Sequence, residues 1–216
     1  MHFAAFYQDK FGVETTVIQN DGKNLRMVIR GIEFNGFMFD DFEPNVTDET
    51  LLASFLLNRG TLCSCRISCD IPVAVVVLET IIECVLNAQI ELGDPKSNGG
   101  IDREQIRLTL QLDDQVFQSS GAKGGWFDDE LQEIQTVLPD GVYIKSCYTC
   151  AFSDYNPAGY GAFGCMACFR NNKQEYLNIR GKTEFLIFFS KKTENVQETW
   201  LCSEYEKRIP GTGYRG

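Results

Sequence analysis

The sequence predicts an α+β protein, predominantly an antiparallel β sheet or sandwich, with one clear helix and a cysteine-rich zinc-type module towards its C-terminal end. Three observations predict it. Several segments alternate apolar and polar residues with the two-residue period of a half-buried strand. Residues 126–138 instead follow the period of a helix. Five of the nine cysteines fall in the last third of the chain, four of them as two Cys-x-x-Cys pairs.

In chain order, 12–18 and 25–30 flank Asn20-Asp21-Gly22-Lys23, a turn sequence that tolerates positive φ, and so read as a hairpin. Residues 32–39 add a third strand. A second hairpin is expected where 55–57 and 62–71 bracket Asn58-Arg59-Gly60, with a short capped helix as the other reading of 48–57. The clearest strand places Ile82, Cys84, Leu86, Ala88, Ile90 and Leu92 on one face and Glu83, Asn87, Gln89 and Glu91 on the other. After a turn-rich stretch, Ile106, Leu108, Leu110 and Leu112 repeat the pattern, so the two read as antiparallel neighbours.

The helix at 126–138 has Phe127, Leu131, Ile134 and Leu138 at helical spacing, acids in its first turns and Pro139-Asp140-Gly141 to end it. The continuous apolar run 185–189 reads as a strand buried on both faces. The helix end, a turn signal and a change of charge coincide after it, which divides the chain into an acidic β-rich body, 1–139, and a cysteine-rich metal-binding module packed on it, 140–216.

Charge narrows the partners. Residues 1–139 hold 10 basic and 22 acidic side chains, a net of −12, whereas 140–216 come to +2. Such a body repels phosphate backbones, so nucleic acid is a poor partner and a basic protein a physically easier one. No apolar stretch reaches the roughly 18 residues of a membrane span. The first ten residues lack the pattern of a signal peptide, so a cytoplasmic protein is expected. In that reducing compartment cysteines are thiols, metal ligands or small core residues. Cys63, Cys65 and Cys69 share a strand face with Ile67 and Ile71 and are read as core, as is Cys84.

Cys147 and Cys150, then Cys165 and Cys168 after fourteen residues, have the spacing with which paired thiolates clamp one tetrahedral zinc. Cys202 is the alternative to Cys165. An iron–sulfur cluster is the weaker cofactor reading. A catalytic zinc is disfavoured, because such sites use histidine or carboxylate and keep an open position, and His2, placed at a mobile terminus, is the one histidine. Between the pairs, glycines and aromatics interleave with polar residues. Ser153, Asp154, Tyr155, Gly159 and Gly161 are therefore candidate ligand contacts, against the reading that the loop simply packs on the sheet. The acid pairs Asp40-Asp41, Asp113-Asp114 and Asp128-Asp129 read as turns and a helix start.

Cys147-x-x-Cys150-x-Phe152-Ser153-Asp154-Tyr155-x-Pro157-x-Gly159-x-Gly161-x-x-Gly164, then Cys168-Phe169-Arg170, Cys202-x-Glu204-Tyr205 and the closing Pro210-Gly211-Thr212-Gly213-Tyr214-Arg215-Gly216 resemble a group of bacterial cytosolic proteins catalogued only as a domain of unknown function. The resemblance implies a bacterial source and a metal-type motif with cysteines at Cys147, Cys150, Cys168 and Cys202, which would make Cys165 a bystander. It implies no activity. The residues thus favour a non-enzymatic binding or interaction protein with a structural zinc. The alternatives are an immunity-type inhibitor of a basic effector, and a metal-dependent enzyme using Asp154 or Tyr155 as acid or base.

Overall fold

The computed structural model describes residues 1–157 and 161–214. The strands are β1 His2–Asp9, β2 Gly12–Asn20, β3 Leu25–Ile29, β4 Ile32–Gly36, β5 Glu43–Pro44, β6 Leu57–Asn58, β7 Thr61–Leu62, β8 Cys65–Val77, β9 Thr80–Leu92, β10 Glu104–Leu112, β11 Gln115–Gln118, β12 Tyr143–Lys145, β13 Ser153–Asp154, β14 Met166–Cys168 and β15 Glu194–Val196. The helices are α1 Glu49–Leu52, α2 Phe127–Val137, α3 Lys173–Leu177 and α4 Lys182–Phe188.

One antiparallel sheet runs β11-β10-β9-β8-β1-β2-β3-β4-β5, and β12 pairs with the end of β8 that β1 leaves open. Alternation decides its two faces. In β1, Phe3, Ala5 and Tyr7 are buried while the residues between them are exposed, and β8, β9 and β10 follow with Ile67, Ile71, Leu86, Ile90, Ile106 and Leu108 inward. Cys65 and Cys69 are among these buried residues, and Cys84 is half-buried. α2 lays Phe127, Leu131 and Ile134 on the same core. Its acidic first turn also serves the loop before it, since the buried Glu130 carboxylate accepts the Gly121 and Lys123 N–H groups, both at 2.9 Å.

The second hairpin region combines its two readings in shortened form: Asp48 caps α1 by accepting the Thr50 N–H, but the helix ends at Leu52, and β6 and β7 make a small hairpin separate from β8, so the strand expected over 62–71 is divided between β7 and β8. Three expectations are corrected. Residues 185–189 are not a strand. Phe185 and Phe188 are buried at helical spacing while Leu186 and Ile187 are 49% and 75% exposed, so the run supplies one face of α4. The strand expected over 32–39 stops at Gly36, because the Asp41 carboxylate accepts the Phe37 and Met38 N–H groups and turns the chain. His2 lies in β1, opposite Gln19, and not at a mobile end. No helix among the described residues is long and apolar enough to cross a membrane.

Past β12, short pieces gather round a second cluster of buried residues, in which Phe169 stacks on Tyr176 at 4.7 Å and lies edge-on to Phe185. The segment after β15 is docked through Tyr214, which stacks on Phe185 at 4.5 Å.

Candidate metal centre and the loop beside it

Three separate stretches of chain bring four thiols together. Cys147 and Cys150 belong to a 3-10 turn just after β12, and Cys168 ends β14, which is itself held between β13 and β15. Cys202 arrives because the final segment grips that turn on both sides. The Cys147 and Tyr148 N–H groups donate to the carbonyls of Trp200 and Glu198 at 2.6 and 3.0 Å, whereas the Ala151 N–H donates to Glu206 and the Arg208 N–H to Thr149. Cys202 lies on the bend between the two grips. Trp200 and Leu201 also lie on this connection, past β15, which ends at Val196.

The electrostatics record the convergence. Burial, and after it the thiols of Cys150, Cys168 and Cys202 and the Glu198 carboxyl, push the Cys147 thiol up. Burial also raises Cys168, against the pull of the Arg170 backbone N–H and guanidinium. An N–H two residues past a cysteine and a nearby cation are groups that stabilise a thiolate. Cys165 stands elsewhere. Its sulfur lies 3.4 Å from the Met38 sulfur, and burial followed by Glu198, Asp40, Asp128 and Asp41 pushes it up to about 12, with no other cysteine among the causes. All nine cysteines are free thiols. Among the described residues no three His, Cys, Asp or Glu side chains are already posed to hold an ion, so what exists is a convergence of thiols and not a formed cage.

The loop residues singled out in the sequence divide. Ser153 and Asp154 form β13 and are wholly buried. The Ser153 hydroxyl donates to the Cys147 carbonyl, and the Asp154 carboxylate accepts the Tyr176 hydroxyl at 2.6 Å. Arg208 closes this network: its Nη2 donates to the Ser153 carbonyl, to the Cys150 carbonyl at 3.1 Å and to the Tyr176 hydroxyl at 3.2 Å. Tyr155 is half-buried against the main core. Gly161 packs so closely that a Cβ there would run into the sulfurs of Cys165 and Met38. Gly159 lies outside the described residues.

Glu198 was not anticipated, although it anchors the loop by accepting the Gly164 and Cys165 N–H groups at 2.7 and 3.1 Å. Burial raises its carboxyl to about 7. Arg170 and Arg208 were missed as well. For Arg170 the available signal was its place two residues after a cysteine. For Arg208 the residue pattern held no chemical signal, since three of its partners, the Cys150 and Ser153 carbonyls and the Tyr176 hydroxyl, lie far away in sequence.

Nothing among the curated proteins and nothing among the solved structures matches this chain. A model of a family of unknown function, DUF6304, matches residues 1–153, a stretch that takes in the large sheet, α2, Cys147 and Cys150 and stops short of Cys168 and Cys202. The match spans more than half of the chain, and the chain belongs to this family of unknown function.

Proposed function

We propose that the chain is a non-enzymatic binding protein of the bacterial cytoplasm whose C-terminal module is clamped by a structural zinc ion on Cys147, Cys150, Cys168 and Cys202. One observation carries the reading: the thiols of Cys150, Cys168 and Cys202, from three chain segments, all lie near enough to act on Cys147, and the Arg170 N–H and guanidinium, the latter shared with Glu194, favour an anion at Cys168. Binding zinc would draw the four sulfurs onto a common point at about 2.3 Å from the ion. Four thiolates would leave no open coordination position, which favours a clamp over an active centre. The enzyme reading is weakened further because the Asp154 carboxylate is buried and bonded to Tyr176.

Protein purified without chelator is expected to carry about one zinc per chain, and its cobalt form to show a tetrahedral thiolate spectrum. Cys150→Ser and Cys202→Ser should lose the metal, and Cys165→Ser should keep it. Metal-free protein with unchanged melting refutes the proposal, and a brown protein would replace zinc by an iron–sulfur cluster. The net −12 of residues 1–139 favours a second reading, an inhibitor of a basic effector protein. A complex with a cationic protein that weakens as salt rises would support it, and salt-independent binding would count against it.

A further inference from the structure

The outer face of the large sheet carries a polar cleft unconnected with the thiols. Phe6, Ser68, Gln89 and Arg107 stand in register across β1, β8, β9 and β10. Gln8, Arg66, Glu91 and Gln105 form the next row in the same order. All eight side chains point away from the core, because Tyr7, Ile67, Ile90 and Ile106 between them are buried. Together the rows floor a cleft of about 490 Å³. At the spacing of neighbouring strands, the row from Phe6 to Arg107 is about 14 Å long.

The chemistry of this floor selects its ligand. Amides and hydroxyls both donate and accept, which matches a ligand dense in hydroxyl groups. Among the described residues the Gln8 and Gln89 side chains make no hydrogen bond, so both remain open to a ligand. Glu91 is already taken by Arg66 at 3.2 Å and Arg103 at 3.1 Å. Arg107 has no carboxylate partner among the described residues, where its side chain makes one hydrogen bond, to the Ser120 carbonyl at 3.3 Å. In a chain of net charge −10 the cleft thus presents two guanidiniums against one carboxylate, a setting that suits a ligand with one or two carboxylates and not a dense polyanion. Phe6, 52% exposed, and Val13, 64% exposed, give one end an apolar wall for the flat face of a ring.

We propose that this cleft binds a short acidic oligosaccharide, with a uronic acid carboxylate on Arg107, sugar hydroxyls on Gln89, Ser68 and Gln8, and a ring face on Phe6. An extended peptide is the poorer fit, because peptides join a sheet at its edge and this is a face. The site goes beyond the metal reading and does not depend on it.

Calorimetric titration at low salt with digalacturonic acid tests the proposal, with lactose as the neutral disaccharide and acetate as the bare carboxylate. Digalacturonic acid should bind saturably, and lactose about tenfold more weakly or worse, the effect of one charge-assisted hydrogen-bond pair. Arg107→Gln should reduce digalacturonic acid to the level of lactose, and Phe6→Ser should weaken both sugars. Both side chains are exposed, so circular dichroism of the variants should match the parent. Absence of saturable binding at millimolar digalacturonic acid, unchanged binding by Arg107→Gln, or acetate competing as well as the sugar acid would each overturn it. Neither residue touches the thiol centre, so this result and the metal analysis are read separately.

Discussion

Arg30 offers the sharpest test of how the sheet is held. It sits at φ +50° beside Gly31 at +77°, in the two-residue turn joining β3 to β4. A non-glycine residue in that conformation costs about 1 kcal/mol. The side chain offsets it. Its guanidinium donates to both oxygens of Asp9, at 2.8 and 2.7 Å, and to the Ser54 carbonyl at 2.6 Å. The Asp9 side chain is wholly buried and that of Arg30 is 20% exposed, so this pair is screened far less than a surface one.

Arg30→Gln would leave a buried carboxylate with only the Tyr7 hydroxyl and the Phe11 N–H for partners, a loss of about 4 kcal/mol. Asp9→Asn keeps the shape and leaves Arg30 with Ser54 and the more distant Glu14, for about 3 kcal/mol. The double variant should reveal a coupling of about 2 kcal/mol. Urea unfolding followed through Trp126 and Trp200 reads each loss as a midpoint lowered by about 1.5 M. The sign with pH is fixed too. Burial would push the Asp9 carboxyl up, but the Arg30, Phe11 and Tyr7 hydrogen bonds and the Arg30 charge outweigh it and hold it below its ordinary 3.8. A carboxyl depressed on folding stabilises above its unfolded pKa and loses that contribution as pH falls through the folded one. The gap between parent and Arg30→Gln should therefore narrow as pH falls below about 4. A coupling under about 0.5 kcal/mol, or a gap that stays constant into acid, would refute the argument.

Tyr176→Phe removes the hydroxyl that donates to the buried Asp154 carboxylate at 2.6 Å and should cost about 1.5–3 kcal/mol by the same unfolding assay; a neutral result would contradict a stabilising role for this bond. Gly213 sits at φ +70°, and a Cβ there would stand 2.7 Å from the Tyr176 ring and hydroxyl. Gly213→Ala should therefore loosen the final segment and speed tryptic cleavage at Lys207 and Arg208, where equal rates would contradict its docking against Tyr176. Removal of the proposed metal is the remaining perturbation and bears on the same segment.

The sheet was legible because its signal is local. The alternation of β9 and β10, the turn after Asn20 and the charged start of α2 each lie within one element, and each element formed where its pattern stood. The run 185–189 misled because five apolar residues fit a buried strand as well as one face of a helix. Only the packing of Phe185 and Phe188 against Phe169 decides between them. Ser153 and Asp154 looked like ligand contacts for the opposite reason. Polar residues among glycines resemble a pocket until their partners are known, and here those partners, Cys147, Tyr176 and Arg208, come from other stretches of the chain. Spacing alone paired Cys165 with Cys168, and it cannot register a final segment that grips residues 147–151 and carries Cys202 towards Cys147.

That delivery gives the proposed metal a definite mechanical role. The pieces it would join are too short to hold themselves: β13 and β14 have two and three residues, and α3 and α4 five and seven. Their aromatic cluster is small, and Cys202 precedes the grips at Glu206 and Arg208 that tie the final segment down. A site completed by Cys202 must then couple metal to the docking of that segment, whereas one completed by Cys165 would brace only the glycine-rich loop. Chelation should accordingly speed tryptic cleavage at Lys207 and Arg208 in the parent protein and in Cys165→Ser alike, and should change nothing in Cys202→Ser, whose segment is already loose. Rapid chelation of zinc with the segment still protected would sever the metal from the tail and return the fourth ligand to Cys165.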